Sequence, residues 1–315
     1  MEYGTYAEPC LSRSCLINDW HAVRVQDTMN HECCFCGSAE FTEVRTTCRA
    51  KLLAEYSRMF GLSFPPAVLE SNFAFSTLTI NKCSVCGTIS YSPMICGDAG
   101  YYDYLSRRFS WYYPTTRWEY PIVASLLEQE NPESFLEVGC GAGHFLRLAR
   151  SRGYEGHGCE MNPQSVETLR AEGFKIFSEL DEHLPKYNAL LMFQVLEHLV
   201  DPYSFLKSLI PHLQDGGIVV FSTPVTPSCV AWGSNPFLVP PHHQWLPTIV
   251  GFKMFAERLD LVCETVICDP PNSLEVEYGL KKWFGRTRYL RRNFRRPWQI
   301  ASWITLKLAA VVECD

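Results

Sequence analysis

The chain has 315 residues, a length typical of about two domains. Of these residues 47% are hydrophobic, 20% charged and 13% aromatic, a composition typical of a folded protein and unlike that of disordered or fibrous chains. The 28 basic and 34 acidic residues give a net charge of −6, which does not favour nucleic-acid binding. No apolar run reaches the ~18 residues of a membrane helix, and the first residues lack the basic and apolar regions of an export signal. We therefore expect a cytoplasmic protein.

Two cysteine pairs mark the N-terminal third of the chain. Cys33–Cys36 and Cys83–Cys86 each have the form C-x-x-C followed by a glycine. Two thiolates at this spacing can chelate one ion, and two such turns supply the four-sulfur shell of a structural zinc site. An iron–sulfur centre or a redox pair is the alternative. The predicted Zn²⁺ ligands are Cys33, Cys36, Cys83 and Cys86, with Cys34 the residue most easily mistaken for a ligand.

These cysteines define a zinc-ribbon module of residues 30–98, which follows an N-terminal extension of residues 1–29. Within the module, Ser71–Ile80 is rich in β-branched and aromatic residues and is predicted to form a strand. The next segment, residues 101–120, contains nine aromatic residues. It has two interpretations, namely helices that pack their rings onto the next domain, or a wall over a flat ligand.

From residue 121 the pattern alternates between strands and helices, which is typical of a parallel sheet covered on both faces. Helices are predicted to begin near Gly143, Pro163 and Pro202, and another spans Ile249–Leu259. The sequence predicts an α/β domain with a doubly wound, mostly parallel Rossmann-like sheet over residues 99–275. Its predicted strands are Phe135–Val138, Tyr154–Cys159, Lys175–Phe177, Ala189–Phe193, Ile218–Ser222 and Leu261–Ile267.

A glycine turn follows the first of these strands. Gly139, Gly141 and Gly143 form a G-x-G-x-G pattern, which lets the backbone approach a ligand closely at the carboxyl end of a strand. A dinucleotide site would place its third glycine at position 144, where this chain has His144. Glu160 ends the next predicted strand, where a carboxylate can accept hydrogen bonds from both hydroxyls of a ribose. The sequence therefore predicts a site for a nucleoside cofactor.

Over roughly residues 115–270 the sequence resembles the class I S-adenosylmethionine-dependent methyltransferases. The resemblance rests on the stretch Glu137–Gly143, on Glu160, and on the stretches Ala189–Pro202 and Gly216–Pro224. It implies that the three glycines line the amino-acid and sugar parts of the cofactor. It also implies that Glu160 holds the ribose and that Gln194 lies beside the methionine portion. The predicted cofactor-binding residues are Glu137, Gly139, Gly141, Gly143, Glu160, Met161, Gln194 and Arg117, the last as a partner for the cofactor carboxylate.

The combination of a zinc ribbon with this domain resembles a subgroup that includes C-methyltransferases of deoxysugar pathways. Those enzymes usually carry a further C-terminal domain, for which 315 residues leave no room. The shared domains therefore do not indicate which molecule accepts the methyl group. We expect methylation at oxygen or carbon of a small molecule, with sugars and lipid-linked molecules among the candidate acceptors. A non-catalytic cofactor-binding scaffold and an RNA methyltransferase are the alternatives.

Histidines are the candidates for proton transfer, because imidazole titrates near neutral pH. The segment Pro240–Leu246 resembles a histidine-bearing segment of many of these methyltransferases, and we predict His243, then His242, as the catalytic base. His198 is a third candidate. Some relatives, including quinone O-methyltransferases, bind magnesium through E-x-x-E-H, but this chain has Gln194 at the first position, so an anionic ligand is missing.

The C-terminal residues 276–315 are predicted to be a basic and apolar tail. Eight basic residues and no acid lie between positions 281 and 296, and a largely apolar stretch follows. Residues 281–312 therefore provide a candidate contact with an anionic membrane or with a phosphate-bearing ligand. The alternative is a C-terminal helix docked on the domain with a solvated cationic face. The sequence does not indicate an oligomeric state.

Overall fold

A computed structural model describes residues 32–181, 183–226, 235–268 and 307–314. The strands, numbered along the chain, are β1 Phe41–Cys48, β2 Thr77–Cys83, β3 Ile89–Ser92, β4 Phe135–Val138, β5 Gly156–Cys159, β6 Ile176–Phe177, β7 Tyr187–Phe193, β8 Leu213–Pro224, β9 Trp245–Leu246, β10 Leu261–Cys268 and β11 Lys307–Cys314. The α-helices are α1 Arg49–Phe60, α2 Pro66–Asn72, α3 Ala99–Arg108, α4 Glu119–Glu130, α5 His144–Ser151, α6 Pro163–Ala171, α7 Pro202–Leu209 and α8 Ile249–Arg258. Short 3₁₀ turns cover Leu196–His198, Ile210–His212 and Pro236–Leu238.

The N-terminal module, residues 32–98, is built on an antiparallel sheet in the order β1-β2-β3-β9. Its edge strand β9 comes from a segment about 150 residues later in the chain, and Ser90 of β3 pairs with Trp245 of β9. The strand predicted over Ser71–Ile80 is corrected at its start, because Ser71 and Asn72 end helix α2 and the strand begins at Thr77. Pro66 at the first helical position favours a helix there over a strand.

The second sheet has seven strands in the order β10-β11-β8-β7-β4-β5-β6. The neighbours β4 and β5, β4 and β7, β5 and β6, and β7 and β8 pair in parallel, whereas β11 is antiparallel to both β8 and β10. Every strand predicted for this domain is present, with ends that differ by a few residues. The predicted doubly wound Rossmann-like fold is confirmed.

The central strands of this sheet are buried on both faces. In β4, Leu136 and Val138 belong to the core on the side of α7 and α8, whereas Phe135 belongs to the core on the side of α4, α5 and α6. Residues of β7 and β8 alternate in the same way between the two cores. Since each large apolar side chain contributes roughly 1.5–3 kcal/mol on burial, the two cores hold the carboxyl ends of these strands in fixed register.

The C-terminal tail requires a correction. Residues 307–314 form strand β11, and neither the predicted tail nor the alternative helix describes them. This strand lies between β8 and β10 and extends the domain beyond the predicted boundary at residue 275. An apolar run is compatible with either a helix or a buried strand when the elements that pack against it are unknown. The basic stretch 281–296 and the N-terminal extension 1–29 lie outside the described residues. Within the described chain, the helices are too short or too polar to cross a membrane.

Candidate active site

The glycine turn after β4 has the left-handed backbone that the sequence pattern predicts. Gly139 has a φ of 70° and Gly143 a φ of 71°. A Cβ atom on Gly139 would lie 2.7 Å from Cγ2 of Val195, and one on Gly143 would lie 2.3 Å from Cδ2 of Leu169. Both positions therefore require glycine. The resulting turn brings backbone N–H groups to the carboxyl edge of the sheet, where α/β sheets bind ligands.

Glu160 is fixed against this turn by three backbone donors. Its Oε2 accepts from the N–H of Gly141 at 2.7 Å, and its Oε1 accepts from the N–H groups of Met161 at 2.9 Å and Asn162 at 2.8 Å. The carboxylate stands at the end of β5, beside the turn that ends β4. This is the position in which an acid can accept hydrogen bonds from the hydroxyls of a nucleoside sugar.

A buried polar chain orients Gln194 at the end of β7. Gln194 has a φ of 58°, rare for a residue with a side chain, and its N–H donates to Ser222 O at 2.8 Å. Its side-chain Nε2 donates to Ser222 Oγ at 3.1 Å, and Ser222 Oγ donates in turn to Glu119 Oε1 at 3.0 Å. The amide oxygen of Gln194 is thereby left as its acceptor. Glu119 and Ser222 were not predicted from the sequence, because neither belongs to a recognisable motif.

Arg117 lies beside two buried carboxyl groups. Its Nη1 is 4.0 Å from Oε1 of Glu119. Glu137 is 2% exposed, and burial raises its pKa well above the usual range, an effect that the positive charge of Arg117 partly opposes. Oε2 of Glu137 has no hydrogen-bond partner within the described residues. A buried acceptor without a donor fits a ligand that carries an N–H or O–H group.

A cavity of about 840 Å³ joins these groups. It opens at the carboxyl ends of β4, β5, β7 and β8. The predicted cofactor residues that line it are Arg117, Glu137, Gly139, Gly141, Glu160, Met161 and Gln194. Gly143 is the exception, because it is not among the lining residues and serves instead as the N-cap of α5. We call this part of the cavity the cofactor end.

Three histidines converge at the other end of the same cavity. His198, His242 and His243 have ring nitrogens within 4.8 Å of one another, and we call them the histidine cluster. His198 Nδ1 donates to the carbonyl oxygen of His242 at 2.6 Å. The neutral His198 ring therefore has its proton on Nδ1 and its lone pair on Nε2. Burial lowers the pKa of His242 well below the usual value, so this ring stays neutral near pH 7.

Glu197 lies beside the histidine cluster. It is 1% exposed, and its Oε1 lies 4.0 Å from Nε2 of His243. Neither carboxylate oxygen has a hydrogen-bond partner of ordinary geometry in the described part of the chain. Burial raises the pKa of Glu197 to about 8, so the group is largely protonated at neutral pH.

Aromatic rings form the walls around the histidine cluster. They come from both parts of the molecule, since Phe60 ends α1 of the module and Tyr102 lies in α3. Trp111, Tyr112 and Phe237 complete the wall. Tyr101, by contrast, is fully buried in the core of the module. Both interpretations of the aromatic segment therefore apply. Tyr101 packs in a core, whereas Tyr102, Trp111 and Tyr112 line the cavity.

The two cysteine pairs meet next to α8 of the sheet domain. The Sγ atoms of Cys33, Cys36, Cys83 and Cys86 all lie within 4.8 Å of one another. The turns also match in their backbone bonds. Gly37 N–H donates to Cys33 O at 2.7 Å, and Gly87 N–H donates to Cys83 O at 3.0 Å. Four convergent thiols on two equivalent turns fit a tetrahedral ion that prefers sulfur, such as Zn²⁺.

Cys34 lies outside this cluster, although it adjoins Cys33. Its side chain is buried in the core of the domain, and burial raises its thiol pKa well above the usual value. Arg258 of α8 donates through Nη1 to the carbonyl oxygens of Cys33 at 3.2 Å and Cys34 at 2.6 Å. The first cysteine turn is thereby held against the sheet domain.

Residues 112–266 match a family described as a methyltransferase domain. A ubiquinone biosynthesis O-methyltransferase from Alkalilimnicola ehrlichii is 28% identical over 32% of this chain and 45% of its own length. One from Vibrio parahaemolyticus is 28% identical over 28% of this chain and 42% of its own length. The chain thus spans less than half the length of the curated relatives it matches.

Among solved structures, a methyltransferase from Archaeoglobus fulgidus described as SAM-dependent is 17% identical, with 62% of this chain and 94% of that chain covered and a TM-score of 0.43. The plantazolicin methyltransferase BpumL is 14% identical, with 69% of this chain and 92% of that chain covered and a TM-score of 0.48.

The glycine turn, the acid after β5 and the sheet order are typical of α/β domains that bind nucleotides. Residues 112–266 are a methyltransferase domain of the class I, S-adenosylmethionine-dependent kind.

Proposed function

We propose that this protein transfers the methyl group of S-adenosylmethionine to a hydroxyl oxygen of an uncharged small molecule. The observation that supports this most strongly is the single cavity with two chemically different ends. Glu160 and the glycine turn lie at the cofactor end, and the histidine cluster lies at the other. The names of the relatives, O-methyltransferases, favour oxygen over carbon as the atom methylated.

At the cofactor end, Glu160 binds the ribose and Gln194 offers its amide oxygen to the amino group of the methionine portion. Arg117 pairs with the carboxylate of that portion, and Glu137 accepts a hydrogen bond below it. When bound, S-adenosylmethionine supplies a methyl carbon whose bond to sulfur breaks as the acceptor oxygen bonds to it, leaving a neutral thioether. The residues of the cavity therefore act chiefly by orienting the two reactants.

At the acceptor end, the histidine cluster removes the proton of the hydroxyl. We predicted His243 and His242 first, but the hydrogen bonds favour His198, whose Nδ1 is occupied by the carbonyl oxygen of His242 at 2.6 Å. Its Nε2 then carries the lone pair that accepts the proton. The ring of His243 packs against this ring, with their centroids 5.0 Å apart, and Glu197 Oε1 lies 4.0 Å from Nε2 of His243.

The wall of the cavity favours a flat and uncharged acceptor. Phe60, Trp111 and Phe237 offer ring faces and edges. Among the described lining residues, Arg117 is the one arginine or lysine, and it lies at the cofactor end. A phosphate-bearing acceptor would therefore meet no cation near the histidine cluster in the described chain. A neutral sugar or lipid-linked acceptor stays a prediction from the sequence.

We further propose that Cys33, Cys36, Cys83 and Cys86 bind one structural Zn²⁺. Four protein ligands complete a tetrahedral shell and leave no position for a substrate. The metal would then stabilise the two cysteine turns and would have no part in methyl transfer.

The test is transfer of an isotopically labelled methyl group. The protein is incubated with S-adenosylmethionine carrying a ¹³C methyl group and a metabolite extract, and products are found by mass spectrometry. A labelled product whose methyl carbon has the NMR shift of a methoxy group is expected. Gly141→Arg, which fills the cofactor end, is the control without product. A wild-type protein that binds the cofactor and labels nothing over broad extracts would be a scaffold and would overturn the proposal.

A further inference from the structure

The segment that carries His242 and His243 is folded into the N-terminal module as well as into the cavity. We call residues 235–246 the histidine segment. Phe237, Val239 and Leu246 of this segment lie in the same apolar core as the module residues Tyr56 and Tyr91. Strand β9 at its end is the edge strand of the module's sheet. The two cavity histidines are therefore positioned by packing that the module supplies.

Individual hydrogen bonds fasten the segment to the module. Tyr56 donates its hydroxyl to the carbonyl oxygen of Pro236 at 2.8 Å, and Tyr91 donates its hydroxyl to the carbonyl oxygen of Leu238 at 2.5 Å. Gly97 N–H donates to the carbonyl oxygen of Pro241 at 2.8 Å. These bonds come from three separate parts of the module and reach the segment at three successive places before His242.

Gln244 is one of the residues at which the module and the sheet domain meet. Its side chain is fully buried and pairs with Ile95 in both directions. The Gln244 Oε1 accepts from Ile95 N–H at 3.1 Å, and its Nε2 donates to Ile95 O at 2.9 Å. The same Nε2 donates to Pro241 O at 3.3 Å. The backbone N–H of Gln244 donates to the carbonyl oxygen of Glu197 at 2.7 Å.

We propose that Gln244 is a positioning residue through which the N-terminal module sets the geometry of the histidine cluster. Its side chain holds the turn at Pro241 against Ile95, and its backbone holds Glu197. His242, whose carbonyl oxygen fixes the tautomer of His198, lies between Pro241 and Gln244 in the chain. The module is therefore part of the acceptor site. This inference rests on the proposed function only in taking the histidine cluster as the acceptor end.

The test is NMR spectroscopy of the full-length protein with ¹³C,¹⁵N-labelled histidine, combined with calorimetric titration of S-adenosylhomocysteine. Gln244→Met keeps the length of the side chain and removes its three hydrogen bonds. We expect the ring resonances of His198, His242 and His243 to shift or broaden. The resonances of His157 and His212, which bond to Tyr187 and Leu184 away from the cavity, should stay in place. Affinity for S-adenosylhomocysteine should remain within about twofold of the wild-type value.

Tyr91→Phe is the milder second variant, which removes one hydroxyl that bonds to Leu238, and should shift the same histidine resonances. Tyr104→Phe is its matched control, because the Tyr104 hydroxyl bonds to Ser63 O, at 2.8 Å, and not to the histidine segment. It should leave the cluster unchanged. Unshifted cluster resonances in folded Gln244→Met overturn the inference, and if that variant does not fold, unshifted resonances in Tyr91→Phe do so. Loss of S-adenosylhomocysteine binding in the wild-type protein would instead contradict the proposed function.

Discussion

The side-chain amide of Gln194 donates a hydrogen bond to the hydroxyl of Ser222, at 3.1 Å between Nε2 and Oγ. This bond joins the ends of the neighbouring strands β7 and β8 and continues to Glu119. It settles which end of the amide faces the cofactor end of the cavity. The orientation of Gln194 is therefore a property of the sheet.

Replacing Ser222 with alanine should weaken cofactor binding. Ser222 is 1% exposed, and its loss leaves the Gln194 amide and the Glu119 carboxyl without their shared partner. We expect S-adenosylhomocysteine affinity to fall about three- to tenfold, since one such bond contributes about 0.5–1.5 kcal/mol. Calorimetric titration measures this. The control is Ser208→Ala, which removes a bond from Ser208 Oγ to Phe205 O in α7. Equal affinities in the two variants would remove the role given to Ser222.

Replacing His198 with glutamine should abolish most turnover and leave cofactor affinity intact. A positioned base contributes about 10²–10⁴-fold to a rate, so a loss of this order is expected. His243→Gln should lose less, because its Nε2 faces Glu197 at 4.0 Å. The measurement is methyl transfer to the acceptor found by labelling, with His157→Gln as the distant control. A larger loss in His243→Gln than in His198→Gln would restore His243 as the base.

Glu197 should make the stability of the protein decline with rising pH. Its pKa is about 8 when folded against an ordinary value of 4.5, so the folded state binds more protons than the unfolded state between these values. The contribution of Glu197 to the free energy of unfolding should therefore fall across this window by about 1.4 kcal/mol per pH unit at most. Urea unfolding of the wild-type protein and of Glu197→Gln at pH 5, 6.5 and 8, values within that window, measures this contribution as the difference between the two proteins.

Glu197→Gln should flatten this dependence, because glutamine does not titrate, whereas Glu167→Gln on the exposed face of α6 should leave it unchanged. Parallel curves for the wild-type protein and Glu197→Gln would show that the carboxyl group is ionised when folded.

The four-cysteine cluster should bind one zinc ion per chain. Elemental analysis should find this ion in the wild-type protein and in Cys34→Ser, whose thiol lies outside the cluster. It should be absent when Cys83 and Cys86 are both replaced by serine. Removal by a chelator should lower the melting temperature by about 4–8 °C for a loss of about 2 kcal/mol. Iron in place of zinc, or metal lost from Cys34→Ser, would contradict the assignment.

The sequence was informative where local pattern and structure coincide. Strands such as β4 and β7 are buried on both faces, so they read as continuous apolar runs. The backbone geometry of the turn requires glycine at these positions, so the turn can be recognised from the local sequence alone. The two cysteine pairs are visible for the same reason, since each turn forms from adjacent residues.

Contacts between distant residues were out of reach. Nothing local to Ser222 indicates that it bonds to Glu119, 103 positions earlier. His198 lies against His242 in the fold, where module residues bond to the histidine segment. The spacing of these residues in the sequence does not indicate this contact. Strand β11 was missed because its place between β8 and β10 is decided by its neighbours.

The central claim is that Glu160 holds the ribose of S-adenosylmethionine, and calorimetric titration of Glu160→Ala tests it most directly. The carboxylate accepts from Gly141, Met161 and Asn162, so it is already in place. Hydrogen bonds to a charged group contribute about 1.5–3 kcal/mol, which predicts a loss of about 10–100-fold in affinity, with Glu167→Ala unaffected. Equal affinity in Glu160→Ala and the wild-type protein, or no binding by the wild-type protein, would contradict the account.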